Sequence, residues 1–275
     1  MTMGTDSVIE VNYDITTNQI WTSDNTYHVI ALVNVQALLV IEPGTMVVFG
    51  PEKALFVNNG GTLVSCGTPD NPVIYTSDSQ DPWYADYHCA VFVEETASIA
   101  TKITYSHIEY AYAGIITSNI RLDAAIENNY FFNNAYGIVE QGIEHTDISN
   151  NLVFSSYYSG IEVFLESATG QADANSHILI QNNTCDYYQD CGITVHGVPN
   201  IEDAGLVILA NNLVSESYQF GLNLVDGYMY ATVLNTGYYD NAYNKNWEFE
   251  ETNPVIETYW PYQTGAGWLP VCYLD

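Results

Sequence analysis

Apolar positions along this chain fall in short alternating runs, punctuated by the same polar markers each time. Four segments show the pattern most clearly: I-E-N-N-Y-F-F-N-N-A-Y-G-I at 126–138, I-S-N-N-L-V-F-S-S-Y-Y-S-G-I at 148–161, I-Q-N-N-T-C-D-Y-Y-Q-D-C-G-I at 180–193 and L-A-N-N-L-V-S-E-S-Y-Q-F-G-L at 209–222. Each opens on an aliphatic residue, carries paired asparagines two positions on, and reaches a Gly-aliphatic pair soon after. A degenerate copy stands at 103–115, and a fading one keeps Val233 and Asn235. Alternation this brief is strand periodicity, not helix. Repetition of one small unit is the signature of a solenoid whose neighbouring units bury one continuous core. The predicted fold is therefore all-β: a single right-handed parallel β-helix of about eight coils, with N-terminal entry strands and a C-terminal cap.

The markers assign the corners and the core. Gly114, Gly137, Gly160, Gly192 and Gly221 mark one corner, where positive φ or close backbone approach is cheap. The second asparagines, Asn129, Asn151, Asn183 and Asn212, mark another. Asparagine tolerates the left-handed region, and stacked amides can bond from coil to coil. Alternation then points Ile138, Ile161, Ile193 and Leu222 inward, with Val163, Val195 and Leu224 two residues further on. Phe131, Val153, Cys185 and Val214 share a third inward position. Cys185 thus stands where other coils have valine, and the five cysteines, none in a C-x-x-C pair, read as buried thiols.

The first third keeps the plan with longer strands, and here a resemblance enters. Trp21-Thr22 with Tyr27, then Ile41-Glu42-Pro43-Gly44-Thr45, then the Gly-Thr-Pro-Asp-Asn-Pro run at 67–72, resemble the entry coils of secreted bacterial right-handed β-helix repeat proteins of the pectate-lyase-like superfamily. The resemblance covers about residues 20–240 and implies the fold. It implies no single activity, because one fold hosts many. Residues 1–246 are expected to form the solenoid with its N-terminal cap, and 247–275, with Trp247, Trp260 and Trp268, to cap the far end.

Charge narrows the partners. There are 33 acidic and 4 basic side chains, a net charge of −29. Such a surface disfavours nucleic acid and anionic lipid. No apolar stretch is long enough to span a membrane. The opening Met1-Thr2-Met3-Gly4 has neither a basic n-region nor an apolar h-region; the expected placement is secreted or cell-surface, as a monomer, with any signal peptide outside this chain.

Insertions in a solenoid map to loops, often on the binding face. From repeat glycine to the next aliphatic, Gly160 to Ile180 and Gly192 to Leu209 are longer than their neighbours. The loops at 164–176 and 196–205 are thus expected to stand side by side, carrying Glu166, Asp173, Glu202 and Asp203 with His177 and His196 at their edges. Glu162, Thr194 and Asn223 should project beside them as an outward ladder. Carboxylates one or two coils apart could meet glycosidase spacing, so Glu162 with Asp190 or Asp203, and His196, are the catalytic candidates for an enzyme on neutral glycan. The basic residues a uronate lyase needs do not cluster. No zinc or EF-hand motif occurs, though the acidic loops could hold Ca²⁺ through oxygen ligands. The 23 tyrosines add a second candidate. Tyr110, Tyr112, Tyr136, Tyr157, Tyr158, Tyr187, Tyr188 and Tyr218 recur before the repeat glycines and should form a stripe suited to sugar faces or a protein partner, or a ladder that only stabilises the stack. The residues 77–89, rich in aromatics, are expected to pack over the side of the solenoid. The leading expectation is a non-catalytic module binding glycan or a surface protein through Tyr158, Tyr188, Tyr218, Thr194 and Asn223; the alternative is a glycoside hydrolase.

Overall fold

The computed structural model describes residues 7–142, 144–165, 177–197, 207–225 and 231–245. All strand pairs of its three sheets are parallel, and the described residues contain no helix. The sheets hold ten, nine and nine strands. After the first strand, Ser7–Val11, the chain visits the third, first and second sheets in turn, nine times over. This is a parallel β-helix. The opening strands, such as Gln19–Trp21, Asn25–Val29 and Leu32–Val35, join the same stack without the asparagine and glycine markers. Of the expected loops at 164–176 and 196–205, residues 166–176 and 198–205, Asp203 among them, lie outside the described residues, as does the expected cap at 247–275.

The predicted core rows are in register. Ile138, Ile161, Ile193 and Leu222 pair in sequence across the second sheet and are buried. Phe131, Val153, Cys185 and Val214 do the same in the first sheet. In the entry coils Trp21 stacks on Tyr27, 4.4 Å between centroids, and the Thr22 N–H donates to the Tyr27 hydroxyl. The stack accounts for the Trp21–Tyr27 spacing, and the Thr22 hydroxyl accepts from Asn25 Nδ2 in the turn between them.

The asparagine pair divides two tasks that the sequence reading gave to one residue. The first asparagine takes the left-handed backbone: φ is 59° at Asn128 and 55° at Asn150, Asn182 and Asn211. Its side chain then faces outward. The second is buried and builds the ladder. Asn151 Nδ2 donates to Asn183 Oδ1 at 3.1 Å and to Ile126 O at 3.0 Å, while its own Oδ1 accepts from the N–H and Nδ2 of Asn129. Asn129 and Asn183 repeat the scheme. Every donor of these buried amides is satisfied, as burial demands. Ser106 and Thr236 occupy the same position at the two ends.

The glycines are not at a corner. They sit inside the strands of the second sheet, for instance Gly160 in Ser159–Phe164 and Gly192 in Cys191–His196, and their φ is not positive. They are there for room. A Cβ on Gly192 would lie 2.0 Å from Val214 Cγ1 and 2.8 Å from Gly221 O. The true second corner, between the first and second sheets, is turned by left-handed Tyr110, Asn133, Ser155, Tyr187, Glu216 and Asp240.

Candidate functional site

Two surfaces bring together the residues singled out by the sequence. The first is the outer face of the second sheet. Glu162, Thr194 and Asn223 pair in register as expected. Glu162 and Thr194 are nevertheless 7% and 3% exposed, so neither is open to a large ligand. His196 Nε2 lies 2.7 Å from Glu162 Oε1. Its ring stacks on Phe164 at 4.5 Å, 5° from parallel, because Phe164 and His196 are register partners. The Ser159 and Thr194 hydroxyls are 3.4 Å apart. Asp190 is half-buried and accepts a weak bond from the Cys191 thiol, which burial pushes up to about 11. Burial, with Glu162 and three other groups nearby, raises the Tyr136 phenol. The close partner of Glu162 is thus an imidazole. Among the described residues no three His, Cys, Asp or Glu side chains converge on a metal position, and no helix is long and apolar enough to cross a membrane.

The second surface is the corner between the first and second sheets, where the tyrosines collect. Tyr112, Tyr136 and Tyr158 contact in series, at 5.5 and 5.1 Å, and Tyr158 meets Tyr157 at 4.9 Å. Tyr187 and Tyr218 are 6.4 Å apart. Tyr112, Tyr158, Tyr187 and Tyr218 are exposed. Tyr188 is a correction: it lies in the core. Its register partners are Ser156 and Ser217, on the inward side of the corner. Its hydroxyl donates to Val153 O and accepts the Asp186 N–H. The ring fills space beside Gly160, where a Cβ would come within 2.8 Å of its oxygen. Counting back from the repeat glycines would have found this. Tyr187-Tyr188 stands two positions earlier than Tyr157-Tyr158, so the pair turns one ring in and one ring out.

In the middle of the tyrosine row is a cleft of about 170 Å³, lined by Trp83, Tyr84, Asn133, Ser155, Ser156, Tyr157, Tyr187 and Gln189. One wall comes from the strap at 78–86, which leaves the third circuit and reaches the sixth. Tyr84 stacks on Tyr157 at 4.0 Å, and the hydrogen bond between their phenols raises Tyr157. The strap is pinned by Asp86, whose Oδ2 accepts from Ser77 Oγ and the Trp83 N–H, while its own N–H donates to Tyr110 O. The strap packs over the solenoid as its aromatic content predicted, and in doing so builds a wall. Trp83 is 64% exposed. Ser156 underlies the cleft but is 2% exposed, and its hydroxyl, on the inward side with Tyr188, has no hydrogen-bond partner.

The sequence reading missed Trp83, Tyr84, Ser156 and Gln189 as a group, because they come from circuits far apart in the chain. It also missed Glu140. Position 140 pairs with Val163 and is enclosed in the core beside the Thr117 and Thr146 hydroxyls, and burial pushes its carboxyl up to about 8. Ile138 plus two residues points to this place. A scan against family models, curated proteins and solved structures finds nothing that matches this chain.

Proposed function

We propose that this protein is a secreted or cell-surface β-helix module of pectate-lyase-like design that binds neutral glycan without turning it over. The observation that carries this reading is the cleft at Trp83, Tyr84, Tyr157 and Tyr187. Aromatic rings with polar edges suit the apolar face and hydroxyl rim of a sugar. The amides of Asn133 and Gln189 supply polar groups of the kind that orient a ligand. At about 170 Å³ the cleft holds one ring-sized group. With four basic side chains against 33 acidic ones, a neutral ligand is favoured over a uronate or phosphate. This moves the binding surface from the Glu162–Thr194–Asn223 ladder to the tyrosine row; Tyr158 and Tyr218 remain in it and Tyr188 does not.

A glycan array tests the reading. The parent protein is expected to retain neutral glycans, and Trp83→Ala to lose them. Retention undiminished in Trp83→Ala and Tyr187→Ala sinks the cleft as the site. A second reading, a glycoside hydrolase, rests on the Glu162–His196 pair, because a carboxylate that orients an imidazole is a recurring acid–base arrangement. Turnover by the parent that disappears in Glu162→Gln and His196→Asn would establish it.

A further inference from the structure

We infer that the tyrosine corner takes a neutral polysaccharide lengthwise, the chain running along the solenoid axis with the cleft holding one internal unit. This rests on the glycan reading above. The tyrosine rings, exposed at Tyr112, Tyr158, Tyr187 and Tyr218 and half-buried at Tyr136 and Tyr157, do not stop at the cleft. Tyr112 stands on the fourth circuit, Tyr136 on the fifth, Tyr157 and Tyr158 on the sixth, Tyr187 on the seventh and Tyr218 on the eighth. Consecutive contacts run from Tyr112 through Tyr136 and Tyr158 to Tyr157. Tyr157 and Tyr187 face the same cleft, and Tyr187 meets Tyr218. At least one ring on each of five circuits gives a row about 19 Å long at a coil spacing of about 4.8 Å. That repeat is close to the length of one hexose in an extended chain, so successive sugars meet successive rings.

The corner geometry keeps the row at one corner of the solenoid: Tyr187 stands at the left-handed residue, and Tyr112, Tyr136, Tyr157, Tyr158 and Tyr218 two or three residues past it. Left-handed Tyr110, Asn133, Ser155, Tyr187 and Glu216 turn every circuit at the same place, and in-register parallel pairing stacks those turns. The strap crosses this row only at Tyr84 and Trp83, and the cleft is open on its outer side, since Trp83, Tyr187 and Tyr218 are all exposed. A chain that continues in both directions from the cleft therefore meets Tyr158 and Tyr112 one way and Tyr218 the other. The acidic groups flanking the row, Asp190 beside Tyr136 and Glu216 beside Tyr187, accept hydrogen bonds from hydroxyls and repel carboxylated or sulfated chains.

The experiment is a calorimetric titration with neutral β-1,4-linked gluco-, manno- and xylo-oligosaccharides from one to six units. Each ring contact is expected to contribute about three- to tenfold in affinity, so the hexamer should exceed the dimer by well over tenfold in at least one series. Tyr112→Ala and Tyr218→Ala should each reduce that gain by about three- to tenfold and leave the dimer unaffected, while Trp83→Ala weakens both. Thermal melts confirm that these exposed substitutions leave the fold intact. Affinity that does not grow with length, and that only Trp83→Ala reduces, overturns the lengthwise track and leaves the cleft as a single-unit site. Absence of binding in all series overturns the glycan reading and the track with it.

Discussion

Glu140 faces into the solenoid, in line with Val163, Val195 and Leu224 on successive circuits. The Thr117 hydroxyl bonds its Oε2, and Oε1 has no partner. Burial is the largest influence on its carboxyl, raised from 4.5 to about 8; the threonine hydroxyls oppose it only in part. The folded protein therefore holds Glu140 protonated where the unfolded chain has already ionised it. The raised folded value means that stability is fully present below about pH 4.5 and is lost as pH rises through about 8. Between those values the loss is about 1.4 kcal/mol per pH unit, which comes to about 3 kcal/mol at pH 7 and about 5 kcal/mol above pH 9. Glu140→Gln keeps the shape and removes the proton. Urea unfolding of parent and variant should be compared at pH 5, 7 and 9. The net charge of −29 makes both less stable at high pH by self-repulsion, and the difference between them cancels that background. The parent is expected to lose stability relative to the variant by about 3–5 kcal/mol from pH 5 to pH 9. Parallel pH profiles would refute the argument that a titrating carboxyl is held in the core.

Three further outcomes follow from the corners and the core. Asn151→Ala strips partners from the Asn129 amide, the Asn183 carbonyl and Ile126 O, and should cost about 3 kcal/mol or more in chemical denaturation; Asn150→Gly, at the left-handed position, should stay within about 0.5 kcal/mol of the parent. Equal losses at the two asparagines would contradict their division of tasks. Tyr188→Phe orphans Val153 O and the Asp186 N–H and should destabilise by about 1–3 kcal/mol, with glycan retention unchanged; a variant that keeps its stability but loses ligand would return Tyr188 to the surface. Cys185, buried and unpaired with its thiol pushed up to about 12 by burial, should react with thiol reagents no faster than the protein unfolds, and rapid labelling of native protein would argue against its place in the valine row.

What could be read in the sequence was everything that repeats. A parallel solenoid must place like residues above like residues, so periodic aliphatics, asparagines and glycines announced the fold, the inward rows and the position of Cys185 without any knowledge of coordinates. The tyrosine row was legible for the same reason. Tertiary structure decided what depends on distance between coils. Which asparagine takes the left-handed turn and which builds the ladder depends on where each amide finds a carbonyl on the next coil. The glycines proved to answer close packing against Val153, Val214 and facing carbonyls, which no single coil reveals. Tyr188 turned inward because its register partners are serines beside a glycine, and Tyr187 outward because it holds the turn. The cleft joins Tyr84 of the third circuit to Tyr157 of the sixth, residues 73 positions apart in the chain. No local pattern carries that information, because the contact is made by a strap lying along the stack and its partner is set by how far the strap reaches.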